Sequence, residues 1–142
     1  MAKYRKSPHT VYELKYHFVW VTKYRYCMLE GEVKNYLQTL INRICDGMSI
    51  IIEAGDIGKE HIHMCLSVPP KYSPADVMKT IKGVTSERLF REFPDIRKQY
   101  WGKHFWARGY FVSSVGIDEA TIKKYIENQR EEIVENQMKL WE

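Results

Sequence analysis

The sequence predicts an α+β fold of the ferredoxin-like, split β-α-β type. It would be a four-stranded antiparallel sheet with helices on one face, carrying one extra helix at the C-terminus. Three observations lead there. The apolar period switches between two and 3.6 along the chain in the order β-α-β-β-α-β-α. The two central strands are joined by a short glycine-rich turn, so they read as a hairpin. The 142 residues contain no internal repeat and no low-complexity linker, and that length suits one domain with a real core.

The elements follow in order. "YHFVWVT" (16–22) is aromatic and β-branched, a buried strand. "EGEVKNYLQTLINRICDGM" (30–48) places Val33, Tyr36, Leu37, Leu40, Ile41 and Ile44 at helical spacing, with Gly47 closing the helix. "SIIIEAGDIG" (49–58) and "HIHMCLSV" (61–68) are the hairpin strands, the second stopped by Pro69 and Pro70. In "SPADVMKTIKGVTSERLF" (73–90), Ser73 is the cap and Pro74 the first helical residue. "GYFVSSVG" (109–116) is the fourth strand, and Asp118 caps a last helix that runs from 119. The division expected is a core over 1–116 and a helix with its tail over 117–142.

Composition narrows the class. No apolar run approaches the roughly 20 residues of a membrane helix, and the basic N-terminus lacks the features of a signal peptide, so a cytoplasmic protein is expected. Three irregularly spaced cysteines, Cys27, Cys45 and Cys65, fit reduced thiols rather than a disulfide framework. The net charge is +4. Its basic residues concentrate near the N-terminus and between Lys71 and Arg108, interleaved there with Tyr72, Phe90, Tyr100, Trp101, Phe105 and Trp106. Cations mixed with aromatics suit single-stranded nucleic acid, provided the rings are exposed rather than part of the core. Lys71, Lys79, Lys82, Arg88 and Arg108, with Lys123 and Lys124 on the last helix, are the candidate phosphate contacts.

Two patterns carry chemistry. On a strand, alternate residues share a face, so His61, His63, Cys65 and Ser67 lie opposite Ile62, Met64, Leu66 and Val68. The second set must face the core. The two imidazoles then stand with Cα atoms ~7 Å apart on a common surface, close enough to converge on one ion. They serve equally as ordinary half-buried sheet residues, and a pair of ligands is incomplete. A histidine-triad hydrolase would need a third histidine where Cys65 stands. On the last helix, "TIKKYIENQ" stacks Tyr125 and Gln129 at i and i+4. Tyr125 fits a core stripe with Ile122, Ile126 and Ile133, or serves as a nucleophile if something activates it.

"HIH" at 61–63, "YIENQ" at 125–129, "KYHFVWVTKYR" near the start and "FWARGYFVSSVG" before the last helix together resemble the single-tyrosine HUH (His-hydrophobe-His) transposases. These move bacterial insertion sequences as single-stranded DNA. The resemblance covers nearly the whole chain. It implies that His61, His63 and Gln129 bind a divalent ion, Mg²⁺ or Mn²⁺, and that no nucleotide cofactor is used. It implies that Tyr125 attacks the scissile phosphate to give a 5′-phosphotyrosine and a free 3′-OH, which later rejoins DNA. It implies subterminal DNA hairpins as substrate, and a homodimer in which the tyrosine helix of one subunit completes its partner's histidine site. Gly116, just before the helix, is where a hinge would belong. The position before the motif, often Asp in the family, is Glu60 here. Two other readings share this pattern. One is a domesticated relative acting on repetitive palindromic hairpins; the other is a non-catalytic ferredoxin-like module that binds nucleic acid.

Overall fold

The computed structural model describes residues 4–100, 104–114, 116, 118 and 120–128. The chain opens with a small hairpin of β1 (Arg5–Ser7) and β2 (Thr10–Tyr12). The main elements follow: β3 (Lys15–Val21), α1 (Gly31–Gly47), β4 (Ile51–Ile57), β5 (His61–Ser67), α2 (Pro74–Glu92), a four-residue α3 (Pro94–Arg97) and β6 (Phe111–Ser113). A final helix, α4, covers 120–128.

Strands β4, β5, β3 and β6 form one antiparallel sheet in that order. This is the ferredoxin-like strand order, with the first and third of the four strands at the centre. The fold expected from the sequence is the one observed. Phe18 and Trp20 on β3 pair with Met64 and Ile62 on β5 and point to one side of the sheet. Leu37, Ile41 and Cys45 of α1 and Val77, Met78, Ile81 and Leu89 of α2 bury them there. Each such side chain contributes about 1.5–3 kcal/mol of burial. Lys15 to Val21 on β3 and His61 to Ser67 on β5 pair without interruption, so the register that fixes which residues leave the core is set at the centre of the sheet.

Local chemistry sets the helix ends. Ser73 Oγ accepts from the Asp76 amide at 3.0 Å, and the Asp76 carboxylate accepts from the Ser73 amide at 3.0 Å, a reciprocal cap. Asp118 Oδ1 accepts from the Thr121 amide at 2.8 Å, starting α4 where the sequence predicts it. Some boundaries differ from the sequence reading. Ser49 has φ +56° and turns the chain after α1, so β4 begins at Ile51 rather than 49. β6 is three residues long instead of eight. Residues 5–12, which stand out in the sequence only as part of a basic N-terminus, form the β1–β2 hairpin, and Arg5 anchors it by donating to Ser67 O at 3.1 Å and Ser49 O at 2.7 Å. Among the described residues no helix is long and apolar enough to cross a membrane.

Candidate active site

The face of the sheet turned away from α1 and α2 carries the histidines. One register row crosses all four strands: Asp56 on β4, His63 on β5, Val19 on β3 and Phe111 on β6. The neighbouring row holds Ala54, Cys65, His17 and Ser113. His61 sits opposite Val21 at the end of β5. The alternation read from the sequence is therefore correct, and both imidazoles lie half-buried on one surface.

His61 is held by its own turn. Nδ1 lies 2.7 Å from Glu60 Oε1. A carboxylate only accepts, so Nδ1 carries the hydrogen and the neutral ring keeps its lone pair on Nε2. That is the arrangement by which carboxylates orient metal-binding imidazoles. The ring also lies against the backbone of Gly58: a Cβ added there would fall 2.4 Å from His61 Cε1 and 2.7 Å from Nδ1. Only a glycine leaves room for this ring position.

His63 is set by its neighbours on the sheet. Its ring stacks on His17, with centroids 5.8 Å apart and planes 26° from parallel. Burial, then the His17 and His61 rings, hold its pKa below the ordinary imidazole value, against an opposing pull from Asp56. It is thus unprotonated near neutral pH. Its Nε2 is buried with no partner among the described residues, as is His17 Nδ1. His17 is a residue that the sequence reading passed over. Alternation along β3 alone could not place it beside His63; that took the β3–β5 register.

Helix α4 lies on this same face. Ile126 packs with Val21 and Ala107, and Ile122 and Tyr125 flank them. The Tyr125 ring meets Phe111 edge-on, with centroids 5.9 Å apart. Phe111 lies in the His63 row two strand spacings away, about 10 Å. Tyr125 is thus both part of an apolar stripe and a neighbour of the histidine face. Gln129 lies outside the described residues.

A divalent ion fits the donor set in kind. It would find two imidazoles on one face, one oriented by Glu60 and one with a buried nitrogen that has no partner among the described residues. Among the described residues no three His, Cys, Asp or Glu side chains cluster as a metal site.

The basic residues divide. Lys82 and Arg108 line a cleft of about 870 Å³ together with Lys23, Arg91, Arg97 and His104. Lys71, Lys79 and Arg88 are exposed elsewhere, and Lys123 and Lys124 are exposed on α4. The interleaved aromatics are mostly core: Phe90, Tyr100, Phe105 and Trp106 are buried, while Tyr72 is half-buried with Lys71 Nζ 5.2 Å from its ring centroid. Trp101 lies outside the described residues.

The chain resembles known transposases over most of its length. Residues 10–129 match the family model for IS200-like transposases. The transposase of insertion sequence element IS200 from Salmonella typhimurium is 35% identical over 132 residues, which is 93% of this chain and 87% of that protein. The ISDra2 transposase TnpA of Deinococcus radiodurans is 31% identical over 128 residues, 89% of this chain and 91% of that one. A crystal structure of a transposase from Deinococcus radiodurans superimposes with a TM-score of 0.78 at 32% identity, covering 88% of this chain and 97% of that chain. A REP-associated tyrosine transposase solved with a REP hairpin shares the fold, with a TM-score of 0.56 at 15% identity over 85% of this chain and 66% of that one. The chain belongs to the IS200-like transposase family.

Proposed function

We propose that this transposase cuts and rejoins single-stranded DNA at the histidine face, with Tyr125 as the nucleophile. The observation that supports the reading best is the placement of α4. It lies on the surface that carries His61 and His63, and Tyr125 touches the strand that completes the His63 row. His61 and His63, with Gln129, would hold a divalent ion such as Mg²⁺ or Mn²⁺. When bound, that ion would draw charge from the scissile phosphate and favour attack on phosphorus.

The chain's own residues do the rest. Glu60 and Gly58 keep the His61 ring in one orientation. Stacking on His17 does the same for His63. The Tyr125 oxygen forms a bond to phosphorus as the bond from phosphorus to the 3′ oxygen breaks. That oxygen leaves as a 3′-OH, and the 5′ end stays on the tyrosine. A 3′-OH then attacks the phosphotyrosine, restoring a phosphodiester and the phenol. The ester conserves the bond energy, so no nucleotide cofactor is required. Hairpins near the ends of the element are the proposed substrate, and the homodimer implied by the resemblance belongs to the same proposal.

The test uses hairpin-bearing single-stranded DNA from the flanks of the gene, incubated with Mn²⁺. Wild-type protein should cut it; His61→Ala, His63→Ala and Tyr125→Phe should each bind it without cutting. Cleavage by the Tyr125→Phe variant at the wild-type rate would defeat the proposal.

A further inference from the structure

One length of backbone links the two faces of the sheet. Residues 104–109 run beside the end of β3: Thr22 bridges Trp106, the Lys23 amide donates to Phe105 O at 2.9 Å, and the Ala107 amide donates to Val21 O at 2.9 Å. Side chains of α2 hold this segment from one side. Trp106 Nε1 donates to Thr85 Oγ1 at 2.8 Å, and the Phe105 amide donates to Ser86 Oγ at 3.1 Å. Lys82 Nζ donates to Ala107 O at 2.9 Å and to Gly109 O at 2.8 Å. Gly109 has φ +83°, a backbone conformation that favours glycine, where the segment turns toward β6.

The other side of the same segment carries α4. Ile126 packs with Val21 and Ala107, and Ile122 and Tyr125 lie beside them. Neighbouring side chains on extended backbone point opposite ways, so Trp106 goes to α2 and Ala107 to α4. The tyrosine helix therefore rests on a residue whose amide is held by β3 and whose carbonyl is held by Lys82. Lys82 is unusual for a surface cation. It is half-buried, and burial lowers its pKa to about 8, so it gives up hydration yet stays mainly charged near neutral pH. Two of the three N–H donors of the ammonium are engaged by backbone carbonyls. That is the geometry of a strut between α2 and the segment, on the far side of the sheet from the histidines.

We propose that Lys82 is a positioning residue for the tyrosine: by clamping the Ala107 and Gly109 carbonyls it fixes the seat of Ile126, and through that seat the place of Tyr125 relative to His61 and His63. The proposal rests on the strand-transfer reading above and gives α2, which carries none of the reacting groups, a part in it. Lys82 then acts through the segment and α4, and not by touching DNA.

The test compares wild type with Lys82→Met, which keeps the aliphatic stem and removes the donors, and with Ser73→Ala, which removes the cap of the same helix without touching the segment. Lys82→Gln is run in parallel, in case the Met variant does not fold, and is expected to behave alike. The single-turnover rate of covalent adduct formation is followed against the concentration of hairpin-ended single-stranded DNA with Mn²⁺. Lys82→Met should slow the rate at saturating DNA by about 10–100-fold, as misplacement of a reacting group does. The half-saturating DNA concentration should not change, and Ser73→Ala should react like wild type. Hydrogen exchange read by mass spectrometry should show lost protection in residues 105–110 and 120–128 of Lys82→Met, with β5 protected as before. An unchanged saturating rate would overturn the proposal, as would equal slowing by Ser73→Ala or an equal loss of protection in β5. A slower rate with 120–128 still protected, or with a raised half-saturating concentration, would make Lys82 a DNA contact and overturn it too. If wild type forms no adduct, lost α4 protection in Lys82→Met upholds the clamp while the strand-transfer mechanism falls. Adduct formation by wild type and Lys82→Met at one rate does the reverse.

Discussion

Glu60 Oε1 lies 2.7 Å from His61 Nδ1, so the residue just before the histidine pair fixes the tautomer of its first member. The carboxylate and the imidazole are adjacent in sequence and both half-buried, and the pair sits at the mouth of the β4–β5 turn. If this contact orients a metal ligand, Glu60→Ala should weaken Mn²⁺ binding by about 10–100-fold. Its effect on unfolding should be about 1 kcal/mol, the net worth of one partly exposed hydrogen bond. Glu60→Gln keeps an acceptor oxygen and should recover most of the affinity. Isothermal titration with Mn²⁺ measures both; equal affinity in wild type and Glu60→Ala would sink the orientation argument.

Two glycines should respond oppositely to alanine. At Gly58 the new methyl collides with the His61 ring, so Gly58→Ala should displace that ring, weaken Mn²⁺ binding and cost about 1–3 kcal/mol. At Gly83, inside α2, an added Cβ meets nothing within 4 Å. Gly83→Ala should therefore stabilise by about 0.5–1 kcal/mol. Urea unfolding of the two variants side by side checks the signs; stabilisation by both would show that the His61 ring is not confined by Gly58.

Thr85 is fully buried and works in both directions. It donates to Ile81 O at 2.6 Å and accepts from Trp106 Nε1 at 2.8 Å. Thr85→Val keeps the shape but strands the indole N–H, at a cost of about 1–3 kcal/mol. The midpoint of denaturant unfolding reads this directly, and a change below about 0.5 kcal/mol would mean the indole finds another acceptor.

These residues also mark what the sequence could and could not reveal. Strand alternation placed His61 and His63 on one surface, because Ile62, Met64 and Leu66 between them had to face the core. Ser73 and Pro74 announced α2, and Asp118 announced α4, since caps act through their own neighbours. Contacts that depend on pairing between distant strands were not legible. His17 stacks on His63 only because β3 and β5 are in this register. The aromatics from Tyr72 to Trp106 looked like base-stacking surface, yet most are buried; composition cannot distinguish a ring in the core from a ring on the surface. Lys82 was picked as a phosphate contact, but two of its hydrogen bonds go to backbone carbonyls of the cleft wall. The short β1–β2 hairpin has too few residues to show a period.

Stability should fall at high pH through Cys45. Burial, assisted by the Asp46 carboxylate, pushes its thiol from 9.0 up to about 12. Between those values the unfolded chain gives up a proton that the folded chain retains. The stability due to this group is present below pH 9 and is lost as pH rises toward 12. Cys45→Ala should lack that part of the decline. Chemical unfolding at pH 8 and pH 10.5 for both proteins makes the comparison, and identical declines would exclude Cys45 as a source.

If the histidine face and the α4 tyrosine form one site for breaking and rejoining DNA, protein incubated with hairpin-ended single-stranded DNA and Mn²⁺ becomes linked to that DNA at one residue. Peptide mass spectrometry should then find a 5′-linked nucleotide on the peptide containing Tyr125, absent when Mn²⁺ is withheld and absent in His63→Ala. DNA cut without any adduct, or an adduct on a residue other than Tyr125, would contradict a single site built on Tyr125.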